Sequence, residues 1–159
     1  MNQLWAPWRI GYLKSFKKAK GCLFCRVFKS KNDKSNLIVA RSAASIALLN
    51  LYPYSNGHIL VAPAKHSRSL DLLTDRELLD LFGLVNRAKK LLDRVLKPDG
   101  YNIGLNIGRA GGAGFDQHLH VHVVPRWTGD INFMPILAKT KIISQSLTEL
   151  HKELTQRYP

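Results

Sequence analysis

His118-Leu119-His120-Val121-His122-Val123-Val124-Pro125 alternates imidazoles with aliphatic side chains. That is the period of a β-strand, whose side chains point to opposite faces in turn. Leu119–Val124 is therefore predicted to be a strand. His118, His120 and His122 share one face, and Leu119, Val121 and Val123 the other. Neighbouring imidazoles are set roughly 6.6 Å apart along such a strand. Proline cannot donate to a ladder, so Pro125 is expected to end it. The chain has 6 histidines, and this one stretch holds half of them. Core packing does not ask for that.

Upstream, Asn36–Ala40 and Ser45–Asn50 read as a hairpin pair around Arg41–Ala44. Pro53, Ser55, Asn56 and Gly57 mark a loop, and His58-Ile59-Leu60-Val61-Ala62-Pro63 the next strand. Thr74 and Glu77 have the spacing of a capping box. Leu78, Leu81, Phe82, Val85, Ala88, Leu92 and Val95 follow at helical spacing, with Pro98 and Gly100 beyond the end. Tyr101–Asn106 is a further strand. Ile143, Leu147, Leu150 and Leu154 predict a final helix, placed over 141–157. Strands in hairpins plus two separate helices give an α+β class with a mainly antiparallel sheet. The 159 residues suit a single domain. Residues 1–20, with Trp5 and Trp8, read as an ordered arm.

Two kinds of chemistry suit three imidazoles on one strand face. They could hold a catalytic zinc, since imidazole is the commonest metal ligand. Alternatively, one attacks phosphorus while its neighbours orient it. The preceding turn, Asn106-Ile107-Gly108-Arg109-Ala110-Gly111-Gly112-Ala113-Gly114, carries 4 glycines in 9 residues. Glycine lets backbone N–H groups approach an oxyanion closely. Arg109 could add a charge-assisted contact.

Charge points the same way. Lys plus Arg is 24 against 11 for Asp plus Glu, a net charge of +13. Such a field favours anionic partners. No basic helix with interleaved aromatics and no nucleic-acid motif is present, which argues against nucleic acid. No stretch approaches the roughly 18 apolar residues of a membrane span, and no secretory signal opens the chain. Cys22 and Cys25 form a Cys-x-x-Cys pair, which favours a metal site or a redox pair over a disulfide. A cytoplasmic location is the expectation.

Together these residues resemble the histidine triad (HIT) family. The resemblance rests on Asn106-x-Gly108, the glycine-rich turn and His118-x-His120-x-His122-Val123-Val124-Pro125-Arg126. Asn50, Pro53, Gly57–Pro63 and His66 also match that pattern. Trp5-Ala6-Pro7-Trp8-Arg9, Gly21-Cys22-Leu23-Phe24-Cys25 and the tail from Arg126 to Pro135 resemble one branch, that of diadenosine tetraphosphate phosphorylases and related hydrolases. The match spans roughly residues 1–150.

The resemblance implies a HIT-like fold with a five-stranded sheet and two main helices, as a homodimer. It implies that His120 attacks the α-phosphorus and forms a nucleotidyl-histidine. Water or inorganic phosphate then releases the nucleotide. His122 would contact the phosphate, Asn106 would donate to a phosphate oxygen or the leaving group, Asn50 would bind the ribose and Leu48 would lie near the base. Cys22, Cys25, His66 and His118 would hold a structural zinc; no organic cofactor is implied. One feature departs from the pattern. Many members place Gln or Ser soon after the Ala-Gly of the turn, where this chain has Gly111-Gly112-Ala113-Gly114. Backbone N–H groups of Gly112, Ala113 and Gly114 would substitute, with Asp116 and Gln117 as other candidates. The substrate expected is a dinucleoside polyphosphate. A phosphoramidate hydrolase or nucleotidyl transferase on the same fold, and a nucleotide-binding module with little turnover, are the alternatives.

Overall fold

The computed structural model describes residues 21–130 and 143–156. The arm expected over 1–20 and the tail residues Asn132–Pro135 lie outside them. Five strands form one sheet: β1 (Ile38–Arg41), β2 (Ser45–Leu49), β3 (Ile59–Pro63), β4 (Gly100–Leu105) and β5 (Val121–Arg126). Their order is β1-β2-β3-β5-β4, and every pairing is antiparallel. Three helices accompany them: α1 (Leu23–Lys29), α2 (Asp75–Leu96) and α3 (Leu147–Gln156).

The sheet is buried on both faces at β2 and β3, while the edge strand β4 stays largely exposed. Ala47, Leu49, Val61, Leu119, Val121 and Val123 pack beneath α2 and α3, against Leu81, Leu92, Leu150 and Leu154. Ile46, Leu48, Leu60 and Ala62 point the other way, against Phe24 and Val27 of α1. This is why β2 and β3 read as continuous apolar runs rather than alternating ones.

The expected capping box is present. The Thr74 side chain accepts from the Glu77 N–H, and the Glu77 carboxylate accepts from the Thr74 N–H. Phe82, however, stays 46% exposed, and Leu84 and Leu91 fill the core instead.

Four expectations are corrected. Helix α1 stands where the sequence shows only the Cys-x-x-Cys motif. It is 7 residues long with no side-chain cap, so its Leu23, Phe24, Val27 and Phe28 spacing gave a weak signal. In the first hairpin, Leu37 turns left-handed at φ 55°, which delays β1 to Ile38. The last helix starts at Leu147, not 141. Ser146 stops its N-terminal extension by accepting from the Glu149 N–H, and Ile143 lies outside it. Strand β5 begins at Val121, and Pro125 does not end it: Pro125 pairs with Tyr101 and Arg126 with Gly100. The Arg126 carbonyl accepts from Asp99 on the β4 side, so the ring nitrogen of Pro125 faces the other way. There β3 has already stopped, its last pair being Ile59 with Val123. No ladder bond is lost.

Candidate active site

The backbone assigns a tautomer to each triad imidazole. Nδ1 of His120 lies 2.9 Å from the His118 carbonyl. A carbonyl only accepts, so Nδ1 carries the hydrogen and Nε2 keeps its lone pair. His120 is 7% exposed, and burial holds its pKa below the ordinary imidazole value. The ring is therefore neutral at pH 7, with a nucleophilic Nε2 that has no partner among the described residues. Phe24 stacks on this ring at 5.0 Å between centroids and also touches His118 at 5.1 Å.

His122 is set by a longer chain. The Tyr54 N–H donates to His58 Nδ1 at 3.0 Å, and the Asn50 amide approaches the same nitrogen at 3.1 Å. His58 Nδ1 is thus an acceptor, and its hydrogen sits on Nε2. That hydrogen is donated to His122 Nδ1 at 2.9 Å. His122 then carries its own hydrogen on Nε2, which is buried without a partner among the described residues. A buried, unmatched donor beside a nucleophile is the group an incoming phosphate oxygen would satisfy. Burial, and then repulsion from His120, pushes the His122 pKa down to about 4.

His118 serves a different purpose. Its Nε2 donates to the Pro63 carbonyl at 2.8 Å, which turns a bare Nδ1 towards Cys22 Sγ at 3.2 Å and Cys25 Sγ at 3.7 Å. His66 Nδ1 lies 3.3 Å from Cys25 Sγ. The ligand atoms of Cys22, Cys25, His66 and His118 all fall within 4.8 Å of one another, and the set could hold a metal ion. Ligand–ligand edges of roughly 3.3–3.8 Å belong to a tetrahedron with bonds of about 2.0–2.3 Å, so the donors fit a small cation with little movement. The Pro63 carbonyl supplies the outer contact that fixes a ligating imidazole. Partial burial, together with Cys22, raises the Cys25 thiol above its usual range. That disfavours a freely ionising redox pair.

The glycine-rich turn is tied to itself. Gly112 donates to the Arg109 carbonyl at 3.0 Å and Ala113 to the Gly108 carbonyl at 3.3 Å. Of the three expected phosphate donors, Gly114 alone shows no backbone acceptor among the described residues. Gly111 cannot carry a side chain, since a Cβ there would lie 2.5 Å from the Ile107 carbonyl oxygen. Arg109 reaches Asp116 at 3.1 Å. Hydrogen bonds from Arg109 and Gln117 hold the Asp116 carboxyl below its usual range. Asn106 borders a groove beside His122, and Leu48 is buried at 7% exposure against the α1 side of the sheet.

His58 was not singled out in the sequence as a functional residue. It stands just before β3 at 1% exposure, in hydrogen-bond contact with a triad member. A buried histidine in an apolar strand is ambiguous in sequence, because the partner that gives it meaning lies 64 residues away.

Comparison with known proteins agrees with this geometry. Residues 31–129 match the HIT domain family. The AP-4-A phosphorylase of Mycobacterium tuberculosis (strain H37Rv) is 36% identical over 165 residues, covering 99% of this chain and 85% of that protein. Adenosine 5'-monophosphoramidase hnt1 of Schizosaccharomyces pombe is 33% identical over 105 residues, covering 66% of this chain and 74% of that protein. A hypothetical histidine triad nucleotide-binding protein of Sulfolobus tokodaii superposes with a TM-score of 0.68 at 29% identity, covering 85% of this chain and 90% of that one.

Proposed function

This chain belongs to the HIT domain family, and from that membership we propose that it cleaves dinucleoside polyphosphates, diadenosine tetraphosphate first among them, through a nucleotidyl-His120 intermediate. The carrying observation is the His118 carbonyl on His120 Nδ1, which leaves Nε2 free to attack. In the first step the Nε2 lone pair forms the P–N bond while the P–O bond to the departing polyphosphate breaks. The ring becomes cationic, so its Nδ1–H bond to the carbonyl strengthens as charge develops, and the barrier falls. The His122 Nε2–H and Asn106 hydrogen-bond the phosphate and leaving oxygens. Asn50 meets the ribose, Leu48 borders the base, and the Gly112-Ala113-Gly114 turn lines the phosphates, with the Gly114 N–H alone left to donate to them. In the second step water or phosphate attacks phosphorus, the P–N pair returns to Nε2, and a proton from attacking water passes to solvent.

The metal in this reading is one zinc per chain on Cys22, Cys25, His66 and His118. Such an ion would be structural, since Cys22 and Cys25 at α1 and His118 next to the nucleophile's strand would share it. We read the whole chain, arm to last helix, as a single domain that pairs into a homodimer. Free cysteines suit a reducing compartment, hence a cytoplasmic setting. No helix among the described residues is long and apolar enough to cross a membrane.

The test is a product assay on diadenosine tetraphosphate with and without inorganic phosphate. ADP plus ATP formed only with phosphate marks a phosphorylase; AMP plus ATP without it marks a hydrolase. His120→Ala should lose about a thousandfold in kcat or more, the scale for a missing nucleophile. Full activity in that variant would remove the mechanism. Adenosine 5'-phosphoramidate is the second substrate to compare, because the turn lacks the family's usual side-chain donor.

A further inference from the structure

A groove of about 420 Å³ opens beside His122 on the triad face of β4. That volume lies inside the range of small-molecule sites, roughly 300–1,000 Å³. Its lining includes Tyr54, Asn102, Gly104, Asn106, His122 and Val124, and no carboxylate among the described residues. Gly104 pairs with His122 across the ladder. A Cβ on Gly104 would meet nothing within 4 Å, so the floor is open rather than packed. Tyr54 forms a wall. Its ring lies 5.6 Å from the His122 ring at an interplanar angle of 11°, yet the residue is 50% exposed. One face of an aromatic ring rests on the triad while the rest meets water.

We propose that this groove seats the leaving nucleoside half of the substrate, with Tyr54 as the platform for its base. The inference rests on the dinucleotide reading above. In an in-line displacement the leaving oxygen departs opposite the attacking nitrogen, while the retained ribose oxygen stays equatorial. The two halves of the substrate therefore diverge at phosphorus. Leu48 and Asn50 take the retained half at β2. Strand β5, with the nucleophile just before it, lies between β2 and β4 in the sheet. Space for the second half is then over β4, past the unmatched Nε2–H of His122. A neutral groove without carboxylates tolerates the polyphosphate that links the halves. The Asn102 Oδ1 accepts from Arg126 at 2.8 Å, which leaves its amide hydrogens to meet a base or ribose. Stacking on an exposed aromatic face tolerates any base, because every base has a π-face.

The experiment measures kcat/KM on diadenosine tetraphosphate and on adenosine 5'-phosphoramidate, whose leaving group is only ammonia. Wild type, Tyr54→Ala and Gly104→Leu are compared. Gly104→Leu fills the groove from a strand position with room for a side chain, so the variant should fold. Each variant should shift the ratio of the two efficiencies against the dinucleotide by about tenfold, mostly through KM, the loss carried by one base-stacking contact. Equal losses on both substrates would overturn the subsite and make Tyr54 a support for His122 alone. No loss on either would show that the leaving half never enters the groove. A wild type inactive on the dinucleotide but active on the phosphoramidate would remove the dinucleotide function, and the subsite with it.

Discussion

Nε2 of His58 lies 2.9 Å from Nδ1 of His122, and the main-chain N–H of Tyr54 decides the direction of that hydrogen bond. Because a backbone amide can only donate, His58 must accept at Nδ1 and donate at Nε2. The polarity runs inward from the β2–β3 loop and ends on the Nε2–H of His122. The loop thus sets the donor that faces the phosphate, although it contributes no side chain of its own to the triad.

Replacing His58 with alanine should therefore weaken catalysis without removing the nucleophile. His122 loses the donor that fixes its tautomer and can flip its hydrogen to Nδ1. A lost partner at a buried polar atom costs about 1–3 kcal/mol, which reads as a roughly five- to 150-fold drop in kcat. KM should move less than kcat. A fall confined to KM, or an unchanged enzyme, would show that the His58–His122 bond does not serve the reaction.

Burial gives the triad a signature in pH. His122 titrates near 6.5 in an unfolded chain and is pushed down to about 4 in the folded one, by desolvation first and His120 second. Between those values the unfolded chain binds a proton that the folded chain refuses, so stability falls as pH falls. Above about 6.5 this contribution is constant. Thermal denaturation from pH 8 to pH 4 should show a flat region and then a decline. His122→Asn should decline less steeply between about 6.5 and 4. Parallel curves for the two proteins would place the ring in water.

Much of this site was legible in the sequence, and the exceptions are instructive. The alternation from His118 to His122 survives as shared faces: Leu119, Val121 and Val123 lie in the core beneath α2, and the imidazoles face Phe24 and Tyr54. The Thr74–Glu77 box was readable because both halves lie within one turn. What escaped depends on partners distant in sequence or on backbone polarity. Pro125 is harmless because β3 ends early, which no local pattern states. His58 reads in sequence as the first residue of a strand, and only the folded sheet brings it to His122. The two inward N–H groups of the glycine-rich turn follow from positive φ angles at Gly108 and Gly112, 71° and 84°, which set where the turn closes.

The Cys22, Cys25, His66, His118 set predicts about one zinc per chain after chelator-free purification, read by elemental analysis. Removing the metal leaves two thiols and two imidazoles crowded together and frees α1 from the triad segment. If the site contributes several kcal/mol, Tm should fall by roughly 10 °C, at about 2–4 °C per kcal/mol for a chain of this size. Cys25→Ser should reproduce both the lost zinc and the lower Tm. A metal-free protein of unchanged Tm would make the cluster a packing feature.

The proposed dimer is tested at β4. Among the described residues this strand pairs with β5 alone, which leaves the N–H and C=O groups of its outer edge without a partner there. Exposed sheet edges invite pairing unless something covers them. Ile103, opposite Val123 and hence on the α2 side, is 44% exposed. On α2 itself, Leu79 and Phe82 are 75% and 46% exposed, three residues apart and so on one face. Exposed apolar side chains on both an edge strand and the helix over the same sheet face are what a symmetric partner would bury. Light scattering on the purified protein should give twice the 17.9 kDa chain mass. Phe82→Glu places a charge where an apolar contact is expected and should shift the mass towards the monomer, since an unpaired buried charge costs several kcal/mol. A wild type that runs as a monomer at micromolar concentration would end the dimer reading and leave the β4 edge open to solvent.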